Sequence, residues 1–220
     1  MNQKPHWESV YAGKASAALS WYQDHARRSL NLIKRTAVPK DARIIDVGGG
    51  DSSLVDDLLG EGYGDVTVLD LSREALNRVK ARLGNVLADK VAWIEGDILD
   101  ASLPSEAFDI WHDRAVFHFL TTADERVAYI RAVEHAVRPG GHVIVATFAE
   151  DGPTRCSGLP VRRYSAPELH GTFGSAFQLI GSERETHRTP AGLDQPFTYC
   201  WCRYQPVGLE AVVAGSLAGP

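Results

Sequence analysis

Between residues 43 and 148, short apolar runs alternate with stretches in which apolar residues recur every three or four positions. Arg43–Val47 (RIIDV), 66–70 (VTVLD), Val91–Glu95 (VAWIE), 108–112 (FDIWH) and 142–148 (HVIVATF) read as buried strands. Leu54, Val55, Leu58 and Leu59 fall at helical spacing until Gly60 and Gly62 stop the pattern. Ser72 is placed to cap a helix whose inner face carries Leu76, Val79 and Leu83. Thr122 with Glu125 forms a capping-box pattern ahead of Val127, Ile130, Val133 and Val137, and Pro139-Gly140-Gly141 ends that helix. Strands alternating with helices predict an α/β fold: one doubly wound, mostly parallel sheet with right-handed crossovers and both faces covered.

The ends of the chain carry other patterns. Leu19, Tyr22, Ala26, Leu30 and Ile33 lie on one stripe and predict a long amphipathic helix over 15–36. A loop rich in Gly and Pro follows over 150–160, then Ser165 and Glu168 form a second capping box with Pro167 in the first turn. Residues 178–184 and 197–204 read as an antiparallel pair that closes the sheet at seven strands. The expected organisation is an N-terminal helical lid (1–40), one domain (41–206) and a loose C-terminal tail (207–220).

Composition narrows the classes of function. The chain has 220 residues, 44% of them hydrophobic, enough for one well-cored domain. Twenty-eight acidic against 23 basic side chains give a formal charge of −5 with no basic block, so no nucleic-acid partner is expected. Cys156, Cys200 and Cys202 cannot all pair, which suits a reducing compartment. The first ten residues lack the apolar core of a signal peptide, and no run approaches the roughly 18 apolar residues of a membrane span. The expectation is a cytoplasmic protein with no membrane partner.

The chemistry concentrates where the strands end. The first strand runs into Asp46-Val47-Gly48-Gly49-Gly50-Asp51-Ser52, where glycines permit a sharp turn and let a ligand reach bare backbone. Asp70 ends the second strand, where a carboxylate can accept both hydroxyls of a ribose. Asp97 follows the third and can accept from an adenine amino group. The chain has only one βαβ run and lacks the second mononucleotide half that a nicotinamide enzyme would need.

Over about residues 44–148 the chain resembles the Rossmann-like, seven-stranded methyltransferases that use S-adenosylmethionine. Their motif Asp/Glu-x-Gly-x-Gly-x-Gly here reads Asp46-x-Gly48-x-Gly50-x-Ser52, with serine in place of the last glycine. The resemblance implies that Gly48 and Gly50 lie against the methionine part, Asp70 holds the ribose, and Asp97 with Ile98 holds the adenine. On that basis the candidate cofactor residues are Tyr11, Asp46, Gly48, Gly49, Gly50, Ser52, Asp70, Leu71, Asp97, Ile98 and His112. Trp7, Tyr11, Gly62-Tyr63, Val66-Thr67 and Ser72 are also similar to the group containing the lysine methyltransferases of elongation factors and citrate synthase. Those enzymes typically carry Asp-Lys-Gly-Thr after the fourth strand, where this chain has Asp113-Arg114-Ala115-Val116.

At the reaction end, Asp113 and His118 are the candidate catalytic residues, because either can accept a substrate proton. Asp113 is expected to face the pocket; pairing with Arg114 or capping a turn is its alternative role, and packing beside Phe117 is that of His118. Trp7, Tyr11, Trp21 and Tyr22 are candidates for an aromatic cover over a sulfonium, with ordinary packing as the alternative for Trp21. Cys156, Cys200 and Cys202 read as scattered thiols, with a three-thiolate site for a soft metalloid as the lower alternative and no zinc motif present. The expected function is methyl transfer to an unidentified small molecule at O, N or S. A protein lysine is the second acceptor weighed, and a non-catalytic nucleotide-binding module the third reading.

Overall fold

The computed structural model describes residues 3–206, and the tail expected over 207–220 lies outside the described residues. Five strands come first: β1 (Arg43–Val47), β2 (Asp65–Asp70), β3 (Val91–Glu95), β4 (Phe108–Arg114) and β5 (Val137–Phe148). A two-residue ribbon, β6 (Arg155–Cys156) with β7 (Leu159–Pro160), precedes the long pair β8 (Phe177–Arg188) and β9 (Asp194–Tyr204). The main sheet has seven strands in the order β3-β2-β1-β4-β5-β9-β8. Its first five are parallel, and β9 pairs antiparallel with both β5 and β8.

Period-two alternation decides which side chains enter which half of the core. Ile45, Val47, Trp111, Val143 and Val145 point to one face. There they meet Tyr129 and Val133 of α6 (Ala123–Ala136) and Leu169 and Phe173 of α7 (Ala166–Phe173). Ile44, Val66, Val68, Ile110, Ile144 and Ala146 point to the other face. That face is covered by Leu32 and Ile33 of α2 (Arg27–Arg35), Leu54 and Leu58 of α3 (Leu54–Gly60), and Leu76 and Val79 of α4 (Arg73–Leu83). A one-residue slip in any central strand would exchange these two sets, so packing on both faces fixes the register.

The caps form where the sequence places them. Ser72 Oγ accepts from Ala75 N at 3.2 Å. Thr122 with Glu125, and Ser165 with Glu168, make complete capping boxes. After α6 the chain enters β5 at once, with an irregular register over the Pro-Gly-Gly stretch before regular pairing resumes at His142.

The long helix expected over 15–36 does not form as one piece. Instead α1 spans Lys4–Gly13, a 3-10 turn spans Ser16–Ala18, and α2 begins only at Arg27. The apolar stripe serves two different cores. Leu19, with Trp21 and Tyr22, packs against Tyr11 and Ala75, whereas Ala26, Leu32 and Ile33 pack under the sheet. Between them Tyr22 donates to Asp24, and His25 Nδ1 lies 2.7 Å from Asp57. A straight helix cannot bring both halves of the stripe to both sites. As a result α2 is a core element, and only α1 and the segment after it lie over the strand ends. Among the described residues no helix is long and apolar enough to cross a membrane.

Leu58 tests this packing because it is fully buried in the α2/α3 layer. Leu58→Ala is expected to lower the unfolding free energy by about 2–5 kcal/mol, measured by urea denaturation.

Candidate functional site

The site begins with backbone that only glycine tolerates. Gly48 (φ +67°) and Gly50 (φ +43°) turn the chain sharply at the end of β1. A Cβ on Gly48 would stand 1.9 Å from Val116 Cγ2, and one on Gly50 would stand 2.6 Å from the Tyr11 hydroxyl and 2.9 Å from Asp70 Oδ2. At Gly49 a Cβ would meet Asp46 Oδ2 and Val68 Cγ1, each at 2.7 Å. Three consecutive glycines thus let the β4 loop, α1 and the end of β2 close onto one turn. Ser52 Oγ accepts from Leu54 N at 3.1 Å, so the serine in place of the motif's last glycine ties down the start of α3.

A cavity of about 610 Å³ opens above this turn at the carboxyl ends of the parallel strands. Tyr11, Gly48, Asp70, Leu71, Asp97 and Ile98 all line it. Asp46, Gly49, Ser52 and His112 line a smaller recess of about 40 Å³, which shares Gly48, Trp21 and Arg114 with the larger cavity. Of the candidate cofactor residues only Gly50 lines neither space; it lies against the Tyr11 hydroxyl and Asp70.

α1 is held over the cavity by its acidic residue. The Glu8 carboxylate accepts from Arg73 N at 2.8 Å, Glu74 N at 3.1 Å and Ser72 Oγ at 3.0 Å, so it sits at the N-terminus of α4 where a negative charge is favoured. This brings Trp7 and Tyr11 over the strand ends, with Trp7 edge-on to Phe119 (5.2 Å between centroids) and Trp21 (5.8 Å).

Electrostatics differ among the buried acids. Burial, with the Asp46 charge adding to it, raises Asp70 to about 7, although Ser72 N donates to it at 2.7 Å. His112 sits between Asp46 Oδ1 (2.6 Å from Nδ1) and Ser29 Oγ (2.8 Å from Nε2). A carboxylate can only accept, so Nδ1 carries a proton.

Asp113 does not face the cavity. Its side chain is fully buried and accepts from Val116 N (2.8 Å), Phe117 N (3.0 Å) and the Tyr129 hydroxyl (2.5 Å). Burial raises it to about 6, and these donors work against the rise. It therefore shapes the turn that carries Val116 onto Gly48, the turn-capping role that was the alternative in sequence. His118 is also sealed away from the cavity. Its ring packs on Phe119 (4.5 Å) and Phe148 (4.7 Å), and burial, assisted by the Arg114 charge, lowers it to about 3, so it stays neutral.

The three thiols are not brought together. Cys156 lines the cavity, whereas Cys200 and Cys202 lie in the core on the α6/α7 face. Burial pushes them up to about 11, 11 and 12 respectively. Sequence reasoning missed Val116, Phe148, Gln195 and Phe197 as cavity lining. Phe148, Gln195 and Phe197 come from the ends of β5 and β9, and no local motif marks them.

A family model described as a methyltransferase domain matches residues 44–141. The chain is similar to the mouse eEF1A lysine and N-terminal methyltransferase, 22% identical over 63% of this chain, and it spans only 19% of that protein's length. Its fold is shared over 99% of both chains, with a TM-score of 0.75 and 19% identity, by a solved structure that concerns conversion of a disulfide bond into a thioacetal group during echinomycin biosynthesis. It is also shared by the Burkholderia thailandensis 1,6-didemethyltoxoflavin-N1-methyltransferase, solved with 1,6-didemethyltoxoflavin and S-adenosylhomocysteine bound. That likeness has a TM-score of 0.65 and 21% identity and covers 92% of this chain and 84% of the other.

Asp70 gives the site a pH signature. Its folded value of about 7 lies above the ordinary 3.8, so its contribution to stability is present in full below about pH 4 and is lost as pH rises through about 7. Asp113 contributes with the same sign, and the depressed His118 with the opposite one. In Asp70→Asn without cofactor, unfolding free energy relative to the parent should therefore climb between about pH 4 and pH 7, read from urea midpoints. A difference that stays flat across that range contradicts the assignment.

Proposed function

Because the chain carries a class I, S-adenosylmethionine-dependent methyltransferase domain, we propose that it transfers a methyl group from that cofactor to a small-molecule nucleophile. The observation that carries this reading is the cavity itself. Its volume falls in the range of small-ligand sites, and α1 lies over it with an aromatic underside of Trp7 and Tyr11.

The residues present fit the cofactor. Asp70 is a buried acid at the end of β2, available to accept from two ribose hydroxyls, and such donors would draw it to its charged form. Asp97 and Ile98 would hold the adenine, and the bare turn from Gly48 to Gly50 with the Asp46 recess would hold the amino-acid end. When bound, the cofactor supplies a methyl group already activated on a sulfonium. The work left to the chain is to hold the acceptor in line and to exclude water, worth several kcal/mol, on the order of 7–11 in favourable cases. Trp7 and Tyr11 supply the cover, so the segment up to residue 20 acts as a lid over a sheet that is complete without it. Asp113 acts by fixing the β4 turn, and His118 by filling the space beneath Phe119. Three unpaired thiols support a cytoplasmic location.

Protein lysine methylation is the second reading, favoured by the similarity to the mouse lysine methyltransferase. Against it, the segment at the end of β4 is Asp113-Arg114-Ala115-Val116, without the lysine, glycine and threonine typical of those enzymes. Incubation with methyl-labelled cofactor and cell extract separates the two. Label is expected in the small-molecule fraction, and label confined to protein would overturn the small-molecule assignment.

Asp70→Ala should weaken S-adenosylhomocysteine binding by about 1.5–3 kcal/mol, measured by calorimetry, since a charge-assisted contact is lost. Deletion of residues 1–20 is expected to keep the folded sheet, seen by circular dichroism, while turnover falls further than thermal stability does. Full turnover in the deletion variant would rule out the lid.

A further inference from the structure

Arg114 lines both the recess assigned to the cofactor's amino-acid end and the larger cavity, whose wall also includes a chamber of Phe119, Phe148, Cys156, Gln195 and Phe197. Arg114 is the one cation among the described residues that line the cavity. Its side chain is only 10% exposed, and it is held from several sides. Nε donates to the Tyr199 hydroxyl at 3.0 Å, and the guanidinium carbon stands 4.3 Å from the centroid of the Phe197 ring.

Most of its donors are unused. A guanidinium has five N–H groups, and among the described residues only Nε makes a hydrogen bond. Nη2 is buried without a hydrogen-bond partner and lies 3.6 Å from Glu185 Oε2, an ion-pair separation beyond hydrogen-bond reach. Glu185 also accepts from the Tyr199 hydroxyl at 3.1 Å. Nη1 makes no hydrogen bond and is not enclosed as Nη2 is, so it is the guanidinium nitrogen that a ligand acceptor at the cavity wall can reach.

The carboxylate nearest this chamber, Glu185, is already engaged by the Tyr199 hydroxyl and ion-paired with Arg114. Asp113 and His118 are sealed behind the chamber, and burial pushes the Cys156 thiol up to about 11. The other acids of the cavity wall lie elsewhere: Asp70 at the end of β2, Asp97 and Asp100 after β3, and Glu125 in its capping box. A chamber with a cation, aromatic walls and its nearest carboxylate already engaged suits a nucleophile that arrives deprotonated.

We propose that the methyl acceptor is a flat apolar acid whose carboxylate is held by Arg114 between Phe119, Phe148 and Phe197. This rests on the small-molecule methyltransferase reading and narrows it to one substrate class. One carboxylate oxygen accepts from the guanidinium, and the other attacks with a lone pair it already carries. An O–CH3 bond forms while the S–CH3 bond breaks with its electron pair onto sulfur. No proton is released, and the negative acceptor and positive donor leave as a neutral ester and a neutral thioether.

The test uses the full chain loaded with S-adenosylhomocysteine, whose affinity is measured first by calorimetry. Benzoate and its neutral isostere benzamide are then titrated into the parent, Arg114→Gln and Arg114→Lys, followed by ligand-observed NMR. The parent should prefer benzoate by about tenfold or more, and Arg114→Gln should abolish that preference with S-adenosylhomocysteine affinity held within about twofold. Arg114→Lys, which keeps the charge, should retain part of the preference and covers the case in which the glutamine variant does not fold. Equal binding of the two probes by the parent, or no benzoate binding, overturns the proposal. So does an Arg114→Gln variant that loses S-adenosylhomocysteine, because the guanidinium then belongs to the cofactor's own carboxylate. A parent that fails to bind S-adenosylhomocysteine strikes instead at the cofactor reading beneath it.

Discussion

The architecture of the site depends on bare backbone between Gly48 and Gly50. Val116 from the β4 loop, the Tyr11 hydroxyl from α1 and Asp70 from β2 all approach positions that a Cβ would occupy. Each of these groups is fixed in turn by something else. Asp113 holds the β4 turn, Glu8 fastens α1 to the start of α4, and Ser72 N meets the Asp70 carboxylate. Adding one methyl group at Gly48 would therefore disturb more than a local turn. It would push out Val116 and the loop next to Arg114, both of which line the cavity.

The sheet is legible in the sequence because its order follows from short-range signals. Strands such as Arg43–Val47 and Val91–Glu95 are apolar runs bounded by turn residues, and both capping boxes mark helix starts directly. The N-terminal segment is not legible in the same way. Its stripe from Leu19 to Ile33 has the right spacing for one helix, but tertiary packing divides it between two clusters. Propensity and periodicity are local, and they carry no information about how many cores a stripe will serve.

The candidate site divides along the same line. The glycine turn, Asp70 and Asp97 lie at strand ends within one βαβ unit, so their roles follow from position and residue type. Asp113 and His118 also lie at a strand end and look equally chemical in sequence. What separates them from Arg114 is orientation: two backbone N–H groups and Tyr129 turn Asp113 inward, and two aromatic rings enclose His118. Arg114 leans instead toward β9, where Tyr199 and Phe197 hold it, and those partners lie some eighty positions along the chain. A sequence read element by element has no means of finding that pairing.

Behind the site runs a buried polar chain. Asp46, His112 and Ser29 are linked in series, and the Tyr199 hydroxyl in turn meets Arg114 and Glu185. Each member satisfies its neighbour in a low-dielectric setting, so removing any one strands another. Replacing the whole set by apolar residues of matching shape would cost far less than replacing one. Positions 29, 46 and 112 are therefore coupled in descent: related chains should keep the three together or exchange them as a block. A lineage that has exchanged Tyr199 would likewise have released Arg114 from one of its supports, and with it the reason to keep an arginine there.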